Sequence, residues 1–519
     1  MPIPQVPSPL ATILATDTYD SNWFSGSTIE QQIQTAINAA VADGAARVLV
    51  HEPYDATLVA FSTAVQMVLE GEDWGVYHIE AYGAASTQSA AINSAAIAAA
   101  ITGAQSVLGA VRANGVTYQT STTITITAPI SFRGRGDSNT VFYRQNLTGP
   151  VFELNSPTKG MDFGSLQTLY SSDPGASDTN ASGIRLTSFF QSTMTDVQIL
   201  RSYIGFEVNA NGALFFSNTI DNIVVRDVYK THYKVHVGAS GANTGNHWGN
   251  IYANGRSYAS STVKDVNGPM FQLSTSDGDT FEQLNLEYAN VKSADPRLIL
   301  IERGAVVFNS LHIEGIQSDA FANLDLIGIF PGSSNKVAVV VNAMQLNAMS
   351  LGNITTWTNI VGLQGDNISV MLNGFVEKTG GSTFGGSGLR PAWTNGTRAN
   401  CSFTMNEWQS SSLVFNTAGL ASSTAPIAHI PLYASASLNF AAPGAVPGQS
   451  AALTITVTGA ALGDLVEVSA GINLPANFNP PIAWVSAANT VSITWFQFAG
   501  GAADPDGAGT TYYVKVIKR

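Results

Sequence analysis

The sequence predicts a mainly β chain built around a right-handed parallel β-helix, with a small α+β unit before it and a β-structured domain after it. Three observations carry this prediction. Short stretches of alternating polar and apolar residues run from about residue 122 to 375 with almost no helical periodicity. The stretches recur every 27 to 36 residues. An Ala-rich helical stretch precedes them, and a Gly-rich stretch, Gly380 to Gly388, ends them.

At the N-terminal end, Ser27-Thr28-Ile29-Glu30 reads as a capping box with Ser27 as N-cap. The helix it opens runs to about Ala42, with Ile29, Ile33, Ala36 and Ile37 on one face. Arg47 to Val50 reads as a strand and Thr63 to Leu69 as a second helix. These pieces form the α+β unit, residues 1–80. A third helix is expected from about Gln88 to Ala100.

The β-helix is assigned to residues 81–380, about eight coils to residue 375. One inward series begins at Ile223, Ile251, Leu284, Leu311, Val339 and Ile368, with spacings of 28, 33, 27, 28 and 29. A second begins at Phe206, Val235, Phe271, Ile299, Ile327 and Ile360. Two residues on, nearly every position is again apolar, the one exception being Gly362. A strand buries alternate side chains, so such series become columns when coils stack. A propeller would need four strands in forty or more residues per repeat, which this period does not supply. Residues 381–430 read as a connecting β segment, with a strand-like run at Ser412 to Phe415. After the linker Ala441 to Gly448, alternation returns at Ala452–Val457, Val491–Trp495 and Tyr512–Ile517. Residues 431–519 are therefore read as a separate all-β domain.

Composition narrows the function. The chain has 519 residues, 45% hydrophobic and only 11% charged, with a net charge of −13. A deficit of Lys and Arg argues against a nucleic-acid partner, whose phosphates need basic side chains. No run of eighteen apolar residues suggests membrane insertion. Met1 to Ser8 holds three prolines and no Lys or Arg, unlike a secretory signal peptide. The single cysteine, Cys401, excludes an intrachain disulfide.

Two stretches resemble known families. Val76 to Ala84, the Ala-rich helix and then Ile130-Ser131-Phe132-Arg133-Gly134-Arg135-Gly136 resemble the opening of the pectate-lyase superfamily of β-helices. In that superfamily a helix caps the open end of the coil. The acidic, Gly-rich turn usual after Tyr-Gly-Ala is here Ala85-Ser86-Thr87-Gln88. Gly459 to Val468, with Val485 to Val491, resembles the β-structured terminal domain of phage tail proteins. Together these imply a phage tail spike or tail fibre protein. They imply a homotrimer held through the C-terminal domain, attachment to virion tail or baseplate proteins through the N-terminal one, and location in the virion tail. They also imply a receptor-binding role toward host surface polysaccharide.

Chemistry is expected on the outward columns. One step after the first inward column lie Tyr252, Asn285 and His312, and three steps after it lie Arg226, Asn254, Glu287 and Glu314. Glu287 and Glu314 should sit on adjacent coils, about 4.8 Å apart at the backbone. Two carboxylates this close resist joint ionisation, so one pKa is expected to rise. Such a pair suits glycoside hydrolysis, and His312 suits the general base of a lyase or esterase. Glu287, Glu314 and His312 are the candidate catalytic residues, with Asn285, Tyr252, Asn254 and Arg226 as candidate substrate contacts. A solvated polar face with modest pairing is the competing explanation.

A second candidate face carries Glu207, His236 and Gln272 in one column and Asn209, Ser274 and Glu302 in another. Asp277-Gly278-Asp279 reads as a turn that could also suit calcium. Trp248, Tyr252 and Tyr258 are candidates for stacking on sugar rings or for covering turns. His232 and His236 fall in a strand, where residues four apart do not converge. No metal and no cofactor is expected. Three readings stay open: a polysaccharide-binding spike, the same spike acting as a depolymerase, and a purely structural tail component.

Overall fold

Short alternating strands close a core only when like strands stack on one another. The computed structural model of the chain has this stacking. It describes residues 18–45, 47–52, 54–68, 75–210, 214–237, 242–274, 277–292, 295–331, 335–378, 382–394, 398, 400–410, 413, 432–441, 448–473, 477–498, 504–506 and 509–517. A 28-stranded sheet winds through most of it, and the pairings that stack one coil on the next are parallel. The chain is a parallel β-helix with three ladders per coil. A five-stranded side ladder lies beside them in the later coils.

Inward residues form continuous columns. One runs Val111, Phe132, Phe163, Met194, Ile220, Trp248, Phe281, Phe308, Val341, Leu372, Met405. Another runs Val197, Ile223, Ile251, Leu284, Leu311, Met344, Phe375. The third runs Ile184, Phe206, Tyr233, Phe271, Ile299, Ile327, Val361, Ala392. All these side chains are buried.

The first sequence series is thus correct from Ile223 to Leu311. It then slips: Val339 and Ile368 belong to the neighbouring ladder, where they follow Val306 and Val337. All ladders carry the same aliphatic alternation, so a spacing of about 28 residues fits two of them equally well. In the second series Tyr233 replaces Val235, and Val361 replaces Ile360. Tyr233 fits inside because its hydroxyl donates to the carbonyls of Ile223 and Tyr252, at 2.8 and 3.1 Å. Gly362 faces outward, where a Cβ would meet the Asp325 carboxylate. Stacking does not stop near residue 380: Leu389–Thr394, Ser402–Met405 and Trp408–Gln409 each pair with a strand of the preceding coil.

The expected capping helix is Ala90–Val107, longer than the sequence suggests. Ser89 caps it by accepting from the Ile92 N–H. By length and composition it could cross a membrane, but Ile97, Ile101 and Ala104 are buried in the same core as the first coils. Before it, Thr18–Asp20, Arg47–Leu49 and Gln66–Val68 form a parallel three-stranded sheet. The helix expected at residues 63–69 is therefore a strand, and Gln66, Met67 and Val68 are all buried. The first helix, Ile29–Asp43, is capped by Thr28, one residue later than expected. Gln31, rather than Glu30, reaches back to the Ser27 N–H, at 2.9 Å. Glu30 instead accepts from the Asp55 N–H.

The C-terminal part has its own core around Trp495, Tyr512, Val491 and Val514. Leu432–Leu438, Thr510–Ile517 and Leu465–Ala470 form one antiparallel sheet. Leu453–Thr456, Thr490–Thr494 and Ile482–Ala487 form a second. The run Ser412–Phe415, apart from Leu413, and the linker residues 442–447 lie outside the described residues.

One buried group ties stability to pH. His232 is fully buried. Burial pushes its pKa down to about 4, against a weaker opposing effect of the Asn254 backbone. The unfolded chain takes up this proton near pH 6.5, whereas the fold resists it until about pH 4. Its contribution is therefore intact above pH 6.5 and fades as pH falls from there toward 4. Urea midpoints should drop over that window, and His232→Leu should flatten the drop. An equally steep drop in the variant would locate the effect elsewhere.

Candidate active site

Glu287 ends the strand Asp277–Glu287 and Glu314 ends Leu311–Glu314. Leu284, Leu286, Leu311 and Ile313 are buried inward, so alternation aims Asn285, Glu287, His312 and Glu314 outward. Register then sets two rows. Arg226, Asn254, Glu287 and Glu314 are successive partners in one. Val224, Tyr252, Asn285 and His312 are successive partners in the other. Both rows match the sequence expectation.

The rows converge on a small polar cluster. One donor atom each from Glu287, His312 and Glu314 lie within 4.8 Å of one another, and all three residues are half-buried. His312 Nε2 is 3.0 Å from Glu314 Oε2. The Tyr288 hydroxyl donates to Glu314 Oε1 at 2.9 Å. The Tyr252 hydroxyl donates to Glu287 Oε2, and Asn254 Nδ2 donates to that hydroxyl at 2.9 Å. Two carboxylates and an imidazole are also donors of a kind that divalent cations accept, which the sequence reading did not foresee.

Not every candidate contact faces this cluster. Arg226 donates to the carbonyls of Arg256 and Ser257, at 3.3 and 2.9 Å, and so braces the loop after Asn254. Asn254 and Asn285 are nearly buried. Asn254 holds Tyr252 and accepts from the Arg256 N–H, while Asn285 bonds Gln283 and Asn250. They shape the site more than they present themselves to a ligand.

The expected rise in one carboxylate's pKa is not seen at Glu314. Burial alone would raise it, but hydrogen bonds from Tyr288, Asn347 and His312, and the His312 charge, outweigh burial and hold it below the usual range. Glu314 is thus a fixed, ionised carboxylate with one partner on each oxygen.

The second face is rearranged. Glu207 has Lys234, not His236, as its column neighbour, followed by Gln272. The two-residue slip at Val235 displaced it. Glu207 is buried and bonded to Arg185 Nε at 3.0 Å, with Lys234 Nζ at 3.6 Å. In the neighbouring column His236 pairs with Asn209, while Ser274 and Gln272 both donate to Glu302. Asp279 is buried and accepts from Asn246 N and Nδ2 and, at 3.4 Å, from Trp248 Nε1. Asp279 is therefore an internal anchor, while Asp277 and Gly278 are exposed at the start of the strand, where Gly278, at φ +87, makes a bulge. Trp248 is wholly buried and stacks on no ligand. Tyr258 is 44% exposed, with the Arg201 guanidinium 5.5 Å from its ring.

Tyr288 and Arg256 escaped the sequence reading because corner residues carry no alternation. The available signal was the glycine at the matching corners of the coils on either side, Gly255 and Gly315.

No protein-family model matches the chain, and no curated protein matches it. Solved structures do. The gp42 tailspike of Acinetobacter phage vb_AbaP_AS12 aligns with a TM-score of 0.49 and 11% identity, covering 87% of this chain and 82% of that one. The tailspike protein of Acinetobacter phage vB_ApiP_P1 aligns at 0.42 and 13% identity, covering 87% and 90%. The tailspike gp49 of Acinetobacter baumannii bacteriophage Fri1, described as a capsular polysaccharide depolymerase, aligns at 0.38 and 11% identity, covering 85% and 86%.

Proposed function

We propose that the chain is a phage tail spike that binds host surface polysaccharide during adsorption and cleaves it at the Glu287–Glu314 pair. The observation that carries the reading is that pair: two outward carboxylates in register on adjacent coils, bracketed by Tyr252, Tyr288 and His312. A stacked β-helix offers a long rigid face for a long polymer. Around the corner, a cavity of about 550 Å³ lined by Asp173, Asp227, Tyr229 and Lys264 argues against the smooth surface expected of a purely structural component. The test is incubation of purified chain with capsule or lipopolysaccharide from candidate hosts, scored for bound glycan and for new reducing ends. Binding without cleavage would keep the receptor role and remove the enzyme. Neither would leave the structural reading.

Trimerisation is part of the same proposal. The C-terminal unit exposes Leu462, Phe498, Ile482 and Trp484, at 72, 60, 49 and 40%. Exposed large apolar side chains on one small unit are candidates for an interaction surface. The assembled protein should have three times the 54.4 kDa chain mass by light scattering. Trp484→Ser with Phe498→Ser should shift it toward monomer. A monomeric wild type would remove this part of the proposal.

A further inference from the structure

We propose that Tyr288 is a positioning residue, its ring clamped at a left-handed corner so that its hydroxyl fixes the Glu314 carboxylate. The inference rests on the depolymerase reading above. Tyr288 follows Glu287 at the bend where the chain leaves the ladder, and its φ is +52. A bulky side chain in the left-handed region costs energy. The left-handed corner recurs along this ladder at Arg201, Asp227, Gly315 and Ala348, so the turn itself does not call for a tyrosine.

The surroundings are fitted to the ring. A Cβ on Gly315 would lie 2.5 Å from Tyr288 Cδ1, so the ring occupies the space a side chain there would take. On the ring lies the Arg256 guanidinium, 3.5 Å from its centroid. Arg256 is itself tied down through its N–H to Asn254 Oδ1 and its carbonyl to Arg226. The clamped ring directs its hydroxyl at Glu314 Oε1, while His312 takes Oε2. Glu314 is left with one orientation toward Glu287. A residue kept only for packing or for turning the chain would not need the hydroxyl.

Three variants test this on the full chain, with capsular polysaccharide of a susceptible host as substrate. Tyr288→Phe keeps the ring and removes the hydroxyl. It should lower kcat roughly 10- to 100-fold, with KM and melting temperature unchanged. Tyr288→Asn, which tolerates the left-handed corner, should lose activity while melting at or above the wild-type temperature. Arg256→Gln should lower kcat less than Tyr288→Phe. Wild-type activity in Tyr288→Phe would overturn the proposal and leave the depolymerase reading standing, and so would clear destabilisation in Tyr288→Asn, which marks a packing residue. Inactivity of the wild type on every host glycan would overturn both.

Discussion

Glu287→Gln and Glu314→Gln should each reduce polysaccharide cleavage by roughly 10²–10⁴-fold, the range that positioned acid–base groups contribute, and leave glycan binding within a few-fold. Each change preserves shape and removes the acid–base capacity of the carboxyl group. The roles follow from the surroundings. In the proposed reaction Glu314, kept ionised by its donors, would attack the anomeric carbon. Glu287, facing it from the next coil, would protonate the departing glycosidic oxygen and then take a proton from the water that releases the sugar. Carboxyl groups about 5–5.5 Å apart belong to retaining enzymes and about 6.5–9.5 Å to inverting ones. One oxygen each of Glu287 and Glu314 approach within 4.8 Å, and the retaining route is the one predicted for this pair. The first product seen by proton NMR should keep the anomeric configuration of the polymer. Inversion would assign the water-activating role to another pair. An unsaturated product would point instead to a lyase with His312 as base. Undiminished cleavage in both variants would clear these residues altogether.

This site was readable in advance because period-2 alternation fixes which residues face out, and a 27-residue step from Leu284 to Leu311 fixes which are neighbours. The same logic failed wherever a coil changed length without changing its pattern. The step from Leu311 to its true partner Met344 is 33 residues, and the aliphatic Val339 intervenes at the expected distance. Val235 stands where the aliphatic pattern points, whereas Tyr233 is inward because two backbone carbonyls satisfy its hydroxyl inside the coil. Corners were opaque for a different reason: Tyr288 is identified by a backbone angle and by the ring's fit over Gly315, and neither has a periodicity. The strand at Gln66–Val68 was misread because three residues are too few to separate strand from helix by pattern.

Phe281→Ala should cost roughly 3–5 kcal/mol, the usual range for deleting a buried phenyl ring. Phe281 is completely buried on the strand that carries Glu287. Its ring stacks between Trp248 of the preceding coil and Phe308 of the next, each centroid 5.1 Å away, and meets Phe271 edge-on at 5.2 Å. Removing it deletes three aromatic contacts, each worth about 0.5–1.5 kcal/mol beyond simple burial. The cavity left is walled by neighbours fixed in their own ladders, so collapse should recover little. Phe281→Leu refills part of the space and should cost less than half as much, and Met371→Ala, on an exposed position, should stay within about 0.5 kcal/mol of wild type. Urea unfolding, or unfolding rates if refolding is incomplete, gives the ranking. The functional consequence separates two pictures of the coil. If stacked aromatics hold the register of the outward row, Phe281→Ala should lose cleavage even at temperatures where it remains folded, because Glu287 moves relative to Glu314. If backbone ladders alone hold that register, the folded variant should cleave like wild type.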